Sequence, residues 1–441
     1  MYNTCVDKFR KNYEKIAEII VRKGIWFQLV FVLFVLFCIT AMDVPNQIIY
    51  FMDIVTFVIG LLSVKRIMEL KFSQAKGIVW YIGALVLYTF IVFIIRHQSL
   101  LYYLWGLRNT FRFFVFFLVC VGWIETKDIK DILKIFEIFV YLNVLVCSWQ
   151  YWIAHLPFDN ICGLFGVTTQ GSGYMNVLLV IVTASVIVQY LKKMISIRHF
   201  LLVIGCGVYI SIISELKAYY FELALILFLA FLLFMLEKRK LSRQLTITIL
   251  VCGAGMLLIA VLTVALNPEY WRGFFLPKGI WEEVTQKSGY SGQGDLNRIT
   301  AVRDIFVHIF HGGIQSAIGF GLGNCDYSSF EFLITPFYQM YESLHYMWIH
   351  VAFLFLELGF IGLILYMVFF VLVGIRAWKN QQCGTEEEKM WNQVALILSV
   401  CCFFFLFYNI CLRTEAAYMI FFILSVPYAV NRRKKVNKND T

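Results

Sequence analysis

The sequence predicts an all-α polytopic membrane protein of about twelve transmembrane helices, with one large extracytoplasmic loop that contains an amphipathic helix. Three observations support this fold class. The 441 residues are 61% hydrophobic, 18% aromatic and only 15% charged, which lies outside the range of soluble globular domains. Apolar runs long enough to cross about 30 Å of hydrocarbon recur along the chain. Lys and Arg are concentrated in every second connection between these runs.

Twelve apolar runs are predicted to span the membrane. The run at 200–213 is short, and it counts as a span because the charges on either side of it require a crossing there. The stretch between the ninth and tenth runs is the only long polar segment of the sequence. The predicted spans are Ile25–Met42, Ile48–Val64, Val79–Ile95, Leu101–Trp123, Ile132–Ile153, Tyr174–Leu191, Phe200–Ile213, Ala218–Leu236, Thr246–Leu266, Tyr346–Val373, Trp391–Tyr408 and Ala416–Val430.

The basic residues orient the chain with both termini in the cytoplasm. This bias accounts for the formal net charge of +10, so the charge does not indicate nucleic acid as a partner. No small-residue cleavage site follows the first apolar run, and we therefore expect a retained anchor. Cations on the outer side are disfavoured, so each of them needs its own reason, such as lipid phosphate or an acidic neighbour. These cations are Arg96, Lys217, Arg272, Lys278, Lys287, Arg298, Arg303 and Arg413.

The chain divides into three parts on this topology. Residues 1–266 carry the first nine predicted helices. Residues 267–345 form the extracytoplasmic loop with the candidate active-site region, and residues 346–441 carry the last three helices and a basic cytoplasmic tail. The sequence predicts that the functional site lies in this loop, because the remainder of the chain consists mainly of the predicted membrane helices that hold the loop.

An amphipathic helix is predicted over Gly294–Phe310. Asp295 stands at a capping position, and the apolar residues that follow it recur at helical spacing. We expect this helix to lie along the membrane surface. Arg298 falls in its first turn and points toward the membrane bundle, whereas Arg303 lies nearly 90° away, at about 100° per residue. A cation facing the bundle is costly unless it meets an anion.

Three glycines, Gly319, Gly321 and Gly323, alternate in the sequence GFGLGN. Their spacing does not match the dinucleotide-binding fingerprint, and the Gly-Lys-Ser/Thr of the phosphate-binding loop is missing. The spacing therefore favours a structural turn.

His345 stands where the loop enters the tenth predicted span. A histidine there can accept a proton from a hydroxyl near neutral pH, although a lone interfacial histidine is more often only a polar side chain. Glu342 and His350 are further candidates because they lie close to it in sequence. Lys217 ends a span on the outer face, in the sequence SELK.

Charged positions within spans, among them Arg108 and Arg112, must face the bundle or a wet cavity. These two lie one helical turn apart on one face. The twelve cysteines form no CxxC pair and show no His/Cys ligand spacing, so the sequence predicts no metal site. Cys162 and Cys325 fall in predicted outer segments and can form a disulfide if their loops meet.

The order of these features resembles the bacterial O-antigen and capsular polysaccharide polymerases and the O-antigen ligases that share their architecture. Lys217 in SELK stands where the family carries an outer Arg at the end of a middle span. Arg298 stands where the family carries its second Arg, and the sequence GFGLGN that follows is similar to the family's G-x-G-x-G. His345 stands where the family carries a His, and the sequence ELGFIGL at Glu357–Leu363 is similar to the E-x-G-x-x-G that follows it in the family. The segment Gly163–Leu179 is similar to the sequence that precedes a family span.

The resemblance implies a GT-C-like, metal-independent membrane glycosyltransferase without a cofactor. Its substrates would be oligosaccharide repeat units on a polyprenyl diphosphate, such as undecaprenyl diphosphate, joined at the outer face of the bacterial cytoplasmic membrane into O-antigen, capsule or exopolysaccharide. Lys217, Arg298 and Arg303 would hold the diphosphate, and His345, with His350 as the other candidate, would accept the proton. Its partners would be the lipid-linked donor, the bilayer and other membrane proteins of polysaccharide assembly. Ligase-type transfer of finished polymer and a lipid-linked oligosaccharide flippase are the alternatives.

Overall fold

The computed structural model describes residues 2–70, 73–157, 160–238 and 295–430, together with Val261. The structure is 80% helical, and the described residues form no strand. The thirteen α-helices of this part of the chain, numbered α1 to α13, are Tyr2–Ala41, Tyr50–Leu70, Lys76–Ile95, Leu100–Trp123, Thr126–Trp152, Thr169–Leu191, Ile197–Ile213, Lys217–Lys238, Ala301–His308, Pro336–Tyr341, His350–Gln381, Glu386–Tyr408 and Ala417–Ala429.

Nine helices of the described residues are long and apolar enough to cross a membrane, and α7 and α13 are shorter apolar helices. Together they lie at eleven of the twelve predicted spans. Apart from Val261, the span predicted at Thr246–Leu266 lies outside the described residues, and so do residues 267–294 of the predicted loop and the basic tail at 431–441. The architecture is that expected of a polytopic membrane protein.

Burial separates central from peripheral helices. In α6, 94% of the most apolar stretch is buried inside the protein, against 28% in α2 and 33% in α3. Ile54, Phe57 and Leu61 stand exposed on one face of α2. A face of this kind is costly in water and suits the acyl chains of a bilayer.

Local sequence rules explain where helices begin. Thr385 caps α12, since its side chain accepts a hydrogen bond from the Glu388 amide while the Glu388 carboxylate accepts one from the Thr385 amide. Thr335 caps α10 by accepting from the Tyr338 amide at 3.2 Å, and Pro336 occupies the first turn, where its missing N–H costs nothing. α10 forms one wall of the site described below.

The long helix α11 is interrupted at Gly359, which has φ 65° and ψ −169°. The carbonyl oxygens of Leu356 and Glu357, just before the interruption, accept hydrogen bonds from outside the helix. Their donors are the amides of Phe320 and Gly321, each at 2.8 Å. The loop is therefore attached to the membrane bundle through backbone hydrogen bonds at a broken helix.

The glycines of GFGLGN form a structural turn, as predicted. Gly319, Gly321 and Gly323 all have positive φ, at 72°, 102° and 84°. A side chain on Gly323 would collide with α4, because a Cβ there would lie 2.0 Å from the carbonyl oxygen of Tyr102. Glycine is therefore required at this position for both conformation and close approach.

The amphipathic helix is shorter than predicted. Over the described residues the predicted start of this helix was wrong, because α9 begins only at Ala301 and Arg298 lies in a preceding turn. The carboxylate of Asp295 pairs with His345 and does not cap the helix. The Leu296 amide donates to the carbonyl oxygen of Leu344 at 3.1 Å, which holds this segment out of a helix. α9 packs on α11, where the rings of Phe306 and Phe360 lie 5.9 Å apart.

We predict that Gly323→Ala lowers the free energy of unfolding by at least about 2 kcal/mol, through positive φ and a backbone collision. Gly83→Ala in α3 is the matched control. A Cβ at Gly83 meets nothing within 4 Å, and alanine favours a helix, so this variant should be neutral or slightly stabilising. Thermal unfolding of both variants in detergent measures the difference. Equal stability would show that the turn does not depend on glycine at this position.

Candidate functional site

A network of charged side chains, most of them buried, lies where α2, α4, α11 and the connection between α12 and α13 meet the outer segments. Asp53 of α2 forms ion pairs with both Arg108 and Arg112 of α4, the latter at 2.9 Å. Arg112 is only 8% exposed and also pairs with Glu415 at 2.9 Å. The two arginines predicted to face the bundle do so, and a shared carboxylate explains their spacing of one helical turn.

Arg413, in the connection between α12 and α13, forms the second centre of this network. Its guanidinium pairs with Asp326 and, at 3.5 Å, with Glu357. Burial alone would lower the pKa of the Arg413 guanidinium, but the two carboxylates outweigh burial and the pKa is raised. The carbonyl oxygen of Arg413 accepts from Arg112 at 3.2 Å, which joins the two centres.

The arginines of this network are already neutralised by protein carboxylates. The network as described contains Arg108, Arg112 and Arg413 together with Asp53, Asp326, Glu357 and Glu415. Buried cations of this kind hold helices together and are not free to bind a substrate anion. The network therefore supports the site structurally and does not itself form an anion site.

An open cleft of about 410 Å³ borders the network at Tyr327, the residue after Asp326. Two stacked ring pairs flank it. The rings of Tyr327 and Tyr338 lie 5.5 Å apart at 27°, and those of His345 and Trp348 lie 4.1 Å apart at 13°. The cleft is lined by Tyr327, Tyr338, Glu342, Ser343, His345, Met347 and Trp348.

His345 is held in a defined orientation beside this cleft. Its backbone is left-handed, with φ 48° and ψ 29°, a conformation that costs a non-glycine residue about 1 kcal/mol. Its Nδ1 pairs with the carboxylate of Asp295, and the ring stacks on Trp348. No described residue hydrogen-bonds Nε2, and the side chain is 43% exposed. A carboxylate that fixes one ring nitrogen leaves the other available as a proton acceptor.

Tyr338 lines the same cleft as His345. Burial raises the pKa of the Tyr338 phenol, and the carboxylate of Glu342 raises it further. The phenol therefore stays protonated at neutral pH and can donate a hydrogen bond to a ligand. Glu342 and Ser343 are exposed along the same cleft.

Arg298 belongs to the same short segment as the partner of His345. It lies three residues after Asp295, and its Nε donates to the carbonyl oxygen of Tyr408 at 2.9 Å. Its guanidinium carbon lies 4.6 Å from the centre of the Tyr408 ring. Tyr408 ends α12, where a cation is favourable against the helix dipole. The side chain is otherwise exposed. The Asp295–His345 pair thus brings the segment that carries Arg298 next to His345.

Of the predicted site residues, His345 and Glu342 line the cleft, whereas Arg298, Lys217, Arg303 and His350 do not. Lys217 is the half-buried first residue of α8, and Arg303 is exposed on α9. His350 is buried, its ring lies 5.4 Å from that of Tyr366, and neither ring nitrogen has a partner among the described residues. Of the two candidate histidines, only His345 lines the cleft.

Two further expectations concerned cysteines and metals. Cys162 and Cys325 are both buried and are not joined by a disulfide, so this pairing does not form. Within the residues that the structure describes, no group of His, Cys, Asp and Glu side chains is arranged to hold a metal ion.

Sequence reasoning missed the role of Arg413 and its partners. Arg413 was recognised only as one of few outer cations, and Glu415 and Asp326 were not singled out. A usable signal was present, since a cation and an acid two residues apart stand directly before the last apolar run. However, Asp326 lies 87 positions from Arg413, and Arg112 lies 303 positions from Glu415. These pairs could therefore not be recognised from local sequence.

Comparison of the sequence with models of known protein families and with curated proteins found no match. The family resemblance therefore rests on the sequence motifs alone.

We predict that Arg413→Ala costs about 3–5 kcal/mol in the free energy of unfolding, because it leaves Asp326 and Glu357 as buried carboxylates without a cation. Arg303→Ala removes an exposed arginine and should change stability by no more than about 0.5 kcal/mol. Thermal unfolding and the monodisperse fraction after purification report both variants. An Arg413→Ala protein as stable as Arg303→Ala would show that the network does not hold the helices together.

Proposed function

We propose that the protein is a polysaccharide polymerase, a membrane glycosyltransferase that joins oligosaccharide repeat units carried on a polyprenyl diphosphate. The observation that carries this proposal is the His345–Asp295 pair at the edge of an aromatic cleft, placed where the outer segments meet a bundle of apolar helices. The motif resemblance supplies the reaction class, and the geometry supports it.

The cleft suits a sugar. Tyr327, Tyr338 and Trp348 offer flat apolar faces on which the C–H face of a pyranose ring can pack. Glu342 and Ser343 offer hydrogen-bonding groups at the same surface, which fix the orientation of hydroxyls. An aromatic surface with a few polar groups is the arrangement expected where an acceptor sugar must be positioned for attack.

The proposed reaction uses His345 as the base. Its Nε2 accepts the proton of the attacking sugar hydroxyl while Asp295 stabilises the imidazolium that forms. The hydroxyl oxygen forms a bond to the anomeric carbon of the donor, and the bond from that carbon to the phosphate oxygen breaks. The leaving polyprenyl diphosphate carries the negative charge. Arg298 stabilises it, with Lys217 and Arg303 as further cations on the outer side.

This chemistry takes place on the extracytoplasmic face of the bacterial cytoplasmic membrane, with both termini of the chain in the cytoplasm, and it needs neither a metal ion nor a cofactor. A ligase would use the same donor and base and would differ in its acceptor. The arginines of the buried network are already paired with protein carboxylates. This favours an enzyme over a flippase, because a transport path needs polar groups that a substrate can reach.

His345→Ala should reduce polymerisation about 10²- to 10⁴-fold, since it removes the base, and Asp295→Asn should reduce it less, since it removes only the group that orients the ring. The assay uses the purified full chain with a polyprenyl-diphosphate-linked repeat unit and chelator, and it sizes the product. The matched control is His308→Ala, an exposed histidine on α9. Ladders of normal length from His345→Ala would contradict the proposal, and transfer of a finished polymer without chain growth would indicate the ligase.

Arg298→Ala should slow turnover roughly thirty- to a thousand-fold, because it removes a charge-assisted contact worth about 2–4 kcal/mol at the transition state. Arg298→Lys should recover only part of the rate, since an ammonium cannot donate to the Tyr408 carbonyl and to a diphosphate through one planar fork. Both variants should insert and purify normally. Near-normal rates in the Ala variant would remove Arg298 from the reaction and leave it as a cap on α12.

A further inference from the structure

Arg96 differs from the arginines of the buried network. It lies at the end of α3, half-buried, and donates to the carbonyl oxygen of Gln315 at 3.1 Å. No described carboxylate lies within ion-pair distance of it, and its Nε is buried without a partner among the described residues. Burial lowers the pKa of the Arg96 guanidinium, as expected for a cation that has lost water without gaining an anion.

Arg96 opens onto a second cleft, of about 340 Å³. The turn between α3 and α4 supplies His97 and Ser99, which are both exposed. Ser99 is the N-cap residue of the 24-residue helix α4, but its side chain makes no capping hydrogen bond. The first amides of α4 and the Ser99 hydroxyl are therefore donors beside a cation, which is the chemistry that binds phosphate. The cleft is lined by Arg96, His97, Gln98, Ser99, Tyr102, Phe320, Asn324, Pro336 and Phe337.

Apolar surface lies on both sides of this cationic turn. Ile94 and Ile95 stand exposed before it, and Leu100 and Leu101 stand exposed after it. These side chains belong to the ends of two helices long and apolar enough to span a membrane, so this surface suits lipid chains. A cation and hydrogen-bond donors between exposed aliphatic residues match a molecule with a phosphate head and hydrocarbon tails.

We propose that this cleft binds the phosphate group of a membrane lipid, whose chains lie along the exposed aliphatic side chains of α3 and α4. The phosphate bonds the Arg96 guanidinium, the Ser99 hydroxyl and the first amides of α4. The inference does not depend on the proposed reaction. It places a lipid phosphate close to the aromatic cleft, because consecutive residues of α10, Phe337 and Tyr338, line the two clefts. The lipid is either a bulk phospholipid or a polyprenyl phosphate.

The test uses the purified full chain and native mass spectrometry, which counts bound lipids. Three lipids are compared: phosphatidylglycerol, a polyprenyl monophosphate and diacylglycerol, which lacks phosphate. Ser99→Asp adds a carboxylate to the cleft yet remains a good N-cap, and Ser99→Asn is its neutral counterpart with the same shape. Arg96→Gln removes the cation, and Arg66→Gln removes a cation paired with Glu69 at the other end of the bundle.

We expect a phosphate lipid to bind in preference to diacylglycerol, and Ser99→Asp and Arg96→Gln each to weaken it roughly tenfold. Ser99→Asn and Arg66→Gln should bind as the wild type does. Preference for the polyprenyl phosphate identifies a substrate-type lipid, and equal binding of both phosphate lipids identifies bulk phospholipid. Equal binding of diacylglycerol, or unchanged binding in both Ser99→Asp and Arg96→Gln, would overturn the proposal. Turnover is not measured, so a failure here is distinct from failure of the proposed polymerase activity.

Discussion

The docking of the glycine turn against the break in α11 is the contact on which the outer end of the bundle depends. A continuous helix would use the carbonyl oxygens of Leu356 and Glu357 internally, whereas the interruption at Gly359 makes them available to the loop. The same approach brings the Gly323 amide to the Glu357 carboxylate at 2.8 Å, beside Arg413. One interruption of a membrane helix thus positions both the loop and the buried ion network.

The arginines at the outer end of the bundle divide into two groups by their partners. Arg112 and Arg413 are buried against carboxylates, and their desolvation is compensated within the protein. Arg96 and Arg298 donate to backbone carbonyls and remain accessible. Because a carbonyl carries only a partial charge, these two can still gain much from an anion. Net charge on the outer face therefore says little about where an anion binds, and the partner of each arginine decides it.

Most of the membrane-spanning helices could be predicted from sequence, because insertion of an apolar run into the membrane depends on the composition and length of that run. The glycine turn was equally predictable, since glycine adopts positive φ without the steric cost that other residues pay. The start of α9 could not be predicted in this way. A capping pattern competes with other uses of the same side chain, and the carboxylate of Asp295 is taken by His345. His345 itself was found from its position before a span, but its partner was not.

The sequence by itself determined the helical class, the places of the described spans and the short list that contained His345 and Arg298. The tertiary structure alone decided which of these residues meet. Arg112 and Glu415 are 303 positions apart, and His345 and Asp295 are 50 apart. Ion pairs and stacked rings act over a few ångströms of space and leave no periodic signal along the chain, so pairing across helices emerges only once the helices pack.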